Sequence, residues 1–190
     1  ILKADGRYKT IYADPPWPEQ GGGKCIRGAQ RHYPLMSTKE IKELSVPSIA
    51  EENCHLYLWV TNNYLPDGLE VARAWGFRYI TLITWVKGSF GLGQYFRGTT
   101  EHCLFCVRGA LPYRNKNGKR SQGITAIYEQ PTIHSRKPEA MRTMIEMVSY
   151  APRIELFARG SAPGWDRWPN LDTSTTQRPL LAPAASVWRE

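Results

Sequence analysis

The tetrapeptide Asp14-Pro15-Pro16-Trp17 sets a carboxylate, two consecutive prolines and a flat aromatic ring side by side. Two prolines in a row remove two N–H donors and hold the backbone extended. On that reading the Pro15 carbonyl is a rigid acceptor with no sequence-local donor competing for it. Two acceptors and one π-face match an exocyclic amino group on a planar base. Asp14 and Pro15 would each accept one amino proton, and Trp17 would stack on the ring. Such an amine is a poor nucleophile, because its lone pair is delocalised into the ring. Holding both N–H bonds in acceptors favours a pyramidal nitrogen and aims the lone pair at an electrophile. Orientation of this kind lowers a barrier without a covalent intermediate, so no Cys or His nucleophile is required. Judged by residue type alone, a strand-ending proline turn accounts for the tetrapeptide equally well.

Other groups offer weaker chemistry. Cys103-Leu-Phe-Cys106 has half the spacing of a zinc or redox site, but no second CxxC or HxxxH pair completes a tetrahedron. The pair lies in the apolar run HCLFCV, so buried structural thiols are the simpler reading, with Cys25 and Cys54 in the same class. The segment 88–100 (GSFGLGQYFRGTT) carries four glycines without G-x-G-x-x-G spacing and reads as a mobile loop. The segment 112–123 carries Arg114, Lys116, Lys119 and Arg120 with no acid. It is either a solvated surface loop or a phosphate clamp at the edge of the sheet that carries Asp14. The whole chain of 190 residues has 25 Lys and Arg against 17 Asp and Glu, a net charge of +8 that suits a polyanionic partner. Aromatics at 12% beside those cations also suit stacking on nucleobases.

A composition of 42% apolar and 22% charged residues excludes wholesale disorder, and the length fits one domain. No run of about 18 apolar residues marks a membrane span. The opening ILKADGRYKT lacks the layout of a secretory signal, and without Met at position 1 the natural N-terminus is expected upstream.

The elements that must position Asp14 alternate in type. Strands are expected at 8–13 (YKTIYA), 55–61 (HLYLWVT), 79–87 (YITLITWVK), 101–108, 124–129 and 153–158. Helices are expected at 39–44, opened by the capping box Ser37-x-x-Glu40 and ended by Pro47, and at 66–75, stopped by Gly76. A third helix begins at Pro138, with Met141, Ile145 and Val148 on one face. This alternation predicts a layered α/β fold with a largely parallel sheet, which places Asp14 at the carboxyl edge where such sheets bind ligands. One domain over 1–171 and a flexible extension over 172–190 complete the expected organisation.

In blocks that follow one another from Tyr8 to Asn170, the chain resembles the N6-adenine methyltransferases that carry Asp-Pro-Pro-Trp, the family of the eukaryotic mRNA adenosine methyltransferase catalytic subunit and of bacterial and phage DNA enzymes. After the tetrapeptide come Tyr33-Pro34-Leu35-Met36-Ser37, Leu58-Trp59-Val60-Thr61, Ala74-Trp75-Gly76-Phe77 and Thr84-Trp85-Val86-Lys87. Glu101-His102-Cys103-Leu104, His134-Ser135-Arg136-Lys137-Pro138 and Ile154-Glu155-Leu156-Phe157-Ala158-Arg159 follow in family order. The resemblance implies a Rossmann-like S-adenosylmethionine-dependent methyltransferase fold with permuted motif order, the catalytic motif preceding the cofactor strand. It implies catalytic roles for Asp14, Pro15, Pro16 and Trp17. It assigns Lys137 to the cofactor carboxylate, Asp14, Glu155 and Arg159 to the cofactor edge, and Asn170 to the ribose hydroxyls. Tyr33 and Glu101 would line the target-base side.

The activity so implied is methyl transfer to the N6 amine of adenine in DNA or RNA. N4-cytosine methylation uses the same amine geometry, but its motif usually begins with Ser. A non-catalytic nucleic-acid-binding subunit is a rival from another class; such subunits typically lose the acid that this chain retains as Asp14. Adenine-containing nucleic acid and a homodimeric or related heterodimeric subunit are the expected partners, with no metal and no membrane. The expected site of action is the cytoplasm for a bacterial or phage protein and the nucleus for a eukaryotic one.

Overall fold

The computed structural model describes residues 7–18, 35–91, 95–112, 115–117, 119–131 and 136–168. Tyr33, Arg114, Asn170, Cys25 and the expected extension 172–190 lie outside them. The elements are β1 (Tyr8–Ala13), α1 (Thr38–Lys42), α2 (Val46–Ile49), β2 (Ala50–Val60), α3 (Leu65–Ala74), β3 (Arg78–Val86) and β4 (Thr100–Arg108). A short hairpin of β5 (Asn115–Lys116) and β6 (Lys119–Arg120) follows, then β7 (Ala126–Tyr128), α4 (Glu139–Val148), β8 (Arg153–Leu156) and β9 (Asp166–Trp168). Among the described residues no helix is long and apolar enough to cross a membrane.

Seven strands form one sheet in the order β7-β3-β4-β2-β1-β8-β9. β1 runs parallel to β2 and β8, β3 to β7, and β8 to β9. β4 alone is reversed, antiparallel to both β2 and β3. The carboxyl ends of β1, β2 and β3 and the amino end of β4 therefore share one edge. In register, Trp85 faces Glu101 and Val60 faces His102.

Side chains alternate across a strand, and the two faces bury two cores. Ile11, Leu56, Leu58, Leu104, Ile154 and Leu156 pack under the helices of one layer, with Ile41 of α1 and Val71 and Ala72 of α3. Tyr12, Trp59, Ile83, Trp85 and Cys103 pack on the other face under Met141, Met144 and Ile145 of α4. The helix ends are written locally. Ser37 and Glu40 make both bonds of the expected capping box. Gly76, at φ +82°, closes α3 with its N–H on the Arg73 carbonyl, and Phe77 donates to the Ala72 carbonyl, the paired bonds of a left-handed helix stop.

Several expectations change. Pro47 does not simply end the first helix; it sits in the first turn of α2, where a missing N–H costs nothing. Cys103 and Cys106, three apart on β4, point to opposite faces of the sheet, which separates them as partners. Cys103, Cys106 and Cys54 are free and buried, and burial pushes the Cys54 and Cys106 thiols up to about 12. The basic segment forms the β5–β6 hairpin rather than an irregular loop.

The helix α3 sits low on the sheet because Gly68 faces it: a Cβ there would collide with Val60 Cγ1 and lie 3.1 Å from Leu104 Cδ1. Gly68→Val is expected to lift α3 and destabilise the domain by about 1–3 kcal/mol, the usual range for overpacking a filled core. Denaturant unfolding would check this, and an unchanged midpoint would contradict the packing described.

Candidate active site

Asp14 is the first residue beyond β1, and its backbone N–H still points to the Leu156 carbonyl of β8 at 3.4 Å. By strand parity Asp14 lies on the α4 face with Tyr12, as do Glu101 of β4 and Lys87 just past Trp85. The reversal of β4 brings Glu101 to Asp14's edge; a parallel strand would have carried it to the far end. Lys137 enters the same space from the segment leading into α4.

The four groups meet. Lys137 Nζ lies 2.8 Å from Asp14 Oδ1 and 3.2 Å from Glu101 Oε2. Lys87 pairs with the other oxygen of Glu101. Side chains of Asp14, Lys137 and Glu101 are 18%, 17% and 19% exposed, so water reaches them but does not screen them as on an open surface. The floor beneath is aromatic, with Lys137 Nζ 5.2 Å from the Trp59 ring centre and Lys87 Nζ 4.9 Å from that of Trp85. Trp59 is fixed by its Nε1–H, which donates to the Tyr12 hydroxyl at 2.7 Å.

The prolines and Trp17 build the turn that follows. The Trp17 N–H donates to the Pro15 carbonyl at 2.9 Å, and the Met36 N–H donates to the Pro16 carbonyl at 2.9 Å. The Pro15 carbonyl thus has a local donor after all, in a three-residue turn, and its second lone pair is what remains for a ligand. Trp17 also departs from expectation. Its ring is 5% exposed, stacks on Tyr64 at 5.5 Å and 22°, and donates Nε1–H to the Trp59 carbonyl at 2.8 Å. A buried indole needs a partner for its N–H, and this one is anchored in the wall rather than offered as a stacking surface.

Of the other expected residues, Glu155 on β8 lies in register with Tyr12, and its carboxylate accepts from Arg142 Nη2 of α4 at 2.7 Å. Burial pushes the Glu155 carboxyl up, and although Arg142 opposes this, the group stays above its ordinary value. Arg159 is exposed beyond β8. Lys119 and Arg120 are exposed on the β5–β6 hairpin, with Lys116 on its first strand. The feet of this basic segment stand at the opposite edge from Asp14, because reversed β4 delivers the chain there; Leu111, at one foot, accepts through its carbonyl from His55 near the start of the core of β2. The expectation that it lies beside Asp14 is not met. A cavity of about 530 Å³, lined by Tyr57, Ile83, Phe105, Leu111, Gly123 and Met144, occupies that same far end and includes none of the four charged groups.

Two members of the site, Lys87 and Arg142, were not singled out by sequence. Parity could have found Lys87, two residues past Trp85 on the same face. The helical period could have found Arg142, one turn after Pro138.

Burial pushes the Glu101 carboxyl up, but the Lys137 and Lys87 ammoniums outweigh it and hold the group at about 2. Burial pushes Lys137 down, and Asp14 and Glu101 more than reverse that, raising it above the ordinary lysine range. A carboxylate depressed from about 4.3 stabilises the fold fully above that pH and loses its contribution as pH falls towards its folded value. The raised ammonium contributes fully below about 10.4 and loses its share as pH rises through its folded value. Glu101→Gln is therefore expected to flatten the acid fall in stability between about pH 5 and about pH 2.5, read by urea unfolding. The same slope in wild type and variant would contradict the pairing.

The MT-A70 family profile matches residues 8–170. M.MunI, a type II methyltransferase of a Mycoplasma species, is 32% identical over 85% of this chain and 76% of its own length. The human N(6)-adenosine-methyltransferase catalytic subunit METTL3 is 29% identical over 84% of this chain. An Arabidopsis thaliana N(6)-adenosine-methyltransferase, MT-A70-like, is also 29% identical over 84% of it. The chain spans 27% and 23% of those two longer relatives. The profile match begins at β1 and continues past β9, so it takes in every strand that brings Asp14, Lys87, Glu101 and Lys137 together: the chain belongs to the MT-A70 family.

Proposed function

We propose that this chain transfers the methyl group of S-adenosylmethionine to the N6 amine of adenine in nucleic acid. The observation that carries the proposal is the Lys137 ammonium lodged 2.8 Å from Asp14, at the end of the strand that presents the Pro15 carbonyl. The residues present fit the cofactor chemically. Its amino-acid end carries a carboxylate, and Lys137 is a sheltered cation with three N–H bonds, two of them directed to Asp14 and Glu101. When bound, that cofactor supplies an electrophilic sulfonium methyl group. Lys137 would hold its carboxylate, with Glu155 and Arg159 at the same edge, and Asn170 and Tyr33 completing the cofactor and base sides.

The amine side follows from the acceptors. A carboxylate offers about four lone-pair sites, so Asp14 can keep Lys137 on Oδ1 and accept one amino N–H on its second oxygen. The free lone pair of the Pro15 carbonyl accepts the other. Both acceptors are fixed before the substrate arrives, so little reorganisation is needed as charge develops on nitrogen. As the new N–C bond forms at the expense of the donor's C–S bond, whose electron pair stays on sulfur, Asp14 is the carboxylate placed to take the surplus proton from nitrogen. Trp17 contributes by anchoring the turn through Trp59 and Tyr64. Relatives named for adenosine N6 methylation support adenine over cytosine as the target.

The direct test is nucleoside mass spectrometry after incubating DNA and RNA oligonucleotides with the protein and labelled cofactor. Label in N6-methyladenine is expected; label in N4-methylcytosine, or none in any base, would refute the proposal. Asp14→Ala should lower turnover by about 100-fold or more, as loss of a preorganised polar contact does. Lys137→Met should weaken cofactor binding by about tenfold or more, the usual scale for a charge-assisted hydrogen bond, and calorimetry that finds unchanged affinity would remove Lys137 from the cofactor site.

A further inference from the structure

The connection between β3 and β4 begins at Lys87 and returns at Thr100, so both of its feet stand in the charge cluster. Its arms stay paired beyond the sheet: the Lys87 N–H donates to the Thr99 carbonyl at 2.9 Å, and the Gly91 N–H to the Gly98 carbonyl at 2.6 Å. Glycine is required where they approach, since a Cβ on Gly91 would lie 2.9 Å from the Gly98 oxygen. Arg97 ties the arms together. Its Nε donates to the Gly91 carbonyl at 3.1 Å, its Nη2 donates to the Phe90 carbonyl at 3.4 Å, and its guanidinium lies 5.2 Å from the Phe90 ring centre.

What this braced loop presents to solvent is aromatic. Phe90 is 70% exposed, Tyr95 93% and Phe96 91%. Single exposed apolar residues need no explanation, but three large rings within seven positions on a tied loop do. Phe90 is three residues from Lys87 and so within about 11 Å of it along the chain. Beyond its foot at Lys87, the described part of the loop contains one cation, Arg97, and no acid. The chain charge of +8 suits a polyanionic partner, while the β5–β6 hairpin with its Lys and Arg springs from the opposite edge. The loop that rises from the edge holding Asp14 therefore offers rings and one guanidinium, which suit bases more than phosphates.

We infer that Phe90, Tyr95, Phe96 and Arg97 form a stacking platform for the unpaired bases next to the target adenine. The inference rests on the activity proposed above. An adenine whose N6 amine reaches Asp14 must leave its stack, which costs a few kcal/mol in a duplex. Trp17 is buried in the wall and cannot replace the lost stacking. The loop gives the neighbouring bases a new π-surface at the rim, and it selects for single-stranded or locally opened substrate.

The test is fluorescence anisotropy of labelled adenine-containing single-stranded oligonucleotides with wild type, Tyr95→Ala/Phe96→Ala and the ring-retaining Tyr95→Phe/Phe96→Tyr. Transfer of labelled methyl to the same oligonucleotides is measured in parallel. The alanine pair is expected to lose about 10- to 100-fold in affinity, with cofactor affinity retained and the slope against salt unchanged, because stacking releases no counterions. The ring-retaining pair should restore binding. An alanine pair that binds like wild type, while wild type methylates adenine, overturns the platform and leaves the activity standing. A pair that instead changes the molecular mass by light scattering, with oligonucleotide affinity unmoved, assigns the rings to a protein interface and equally overturns it. Wild type that binds and methylates no oligonucleotide removes both.

Discussion

The ammonium of Lys137, shared between Asp14 and Glu101, is the interaction on which the site depends. Two carboxylates this close and this sheltered would repel each other and draw protons if nothing lay between them. One lysine between them and a second at Lys87 balance the charge, and Trp59 and Trp85 line the floor. The same ammonium is the group suited to a cofactor carboxylate, while Asp14 is the group suited to an amine. In the proposed reaction its two halves would thus be joined through a single 2.8 Å contact.

That contact exists because one strand runs backwards. Six strands of the sheet point their carboxyl ends to Asp14's edge, and β4, reversed, points its amino end there. Glu101 at the start of β4 and Lys87 at the end of β3 become neighbours across a single hairpin connection, and α4 covers the face on which all the charges stand. The arrangement extends the general tendency of open α/β sheets to bind ligands beyond their strand ends, by adding the first residues of an antiparallel strand to that edge. The cost of the same reversal is that the basic hairpin leaves from the far end.

Much of this was legible from sequence. Tyr8–Ala13 is legible with its observed bounds, because a β-branched and aromatic run stops at a proline pair. The helix after Pro138 was read from the recurrence of Met141 and Ile145, and the Ser37–Glu40 cap from its spacing. The direction of β4 is not legible, because the thirteen-residue connection from Lys87 to Thr99 is compatible with either sense until the register is known. Sequence alone therefore puts the basic segment at the wrong edge. Residue type made Trp17 a stacking surface; only packing shows that its N–H is taken by Trp59 and its face by Tyr64. The Pro15 carbonyl failed for a related reason, since the N–H of Trp17 curls back onto it in a turn that proline spacing does not dictate.

In the proposed site Asp14 and the cofactor communicate through Lys137. The most direct measurement is a double-mutant cycle by calorimetry, with S-adenosylmethionine binding to wild type, Asp14→Asn, Lys137→Met and the double variant. Groups in direct contact typically couple by about 0.5–3 kcal/mol, so Asp14→Asn should change cofactor affinity in wild type and leave it unmoved once Lys137 is gone. Additive effects, with Asp14→Asn acting alike in both backgrounds, would contradict it.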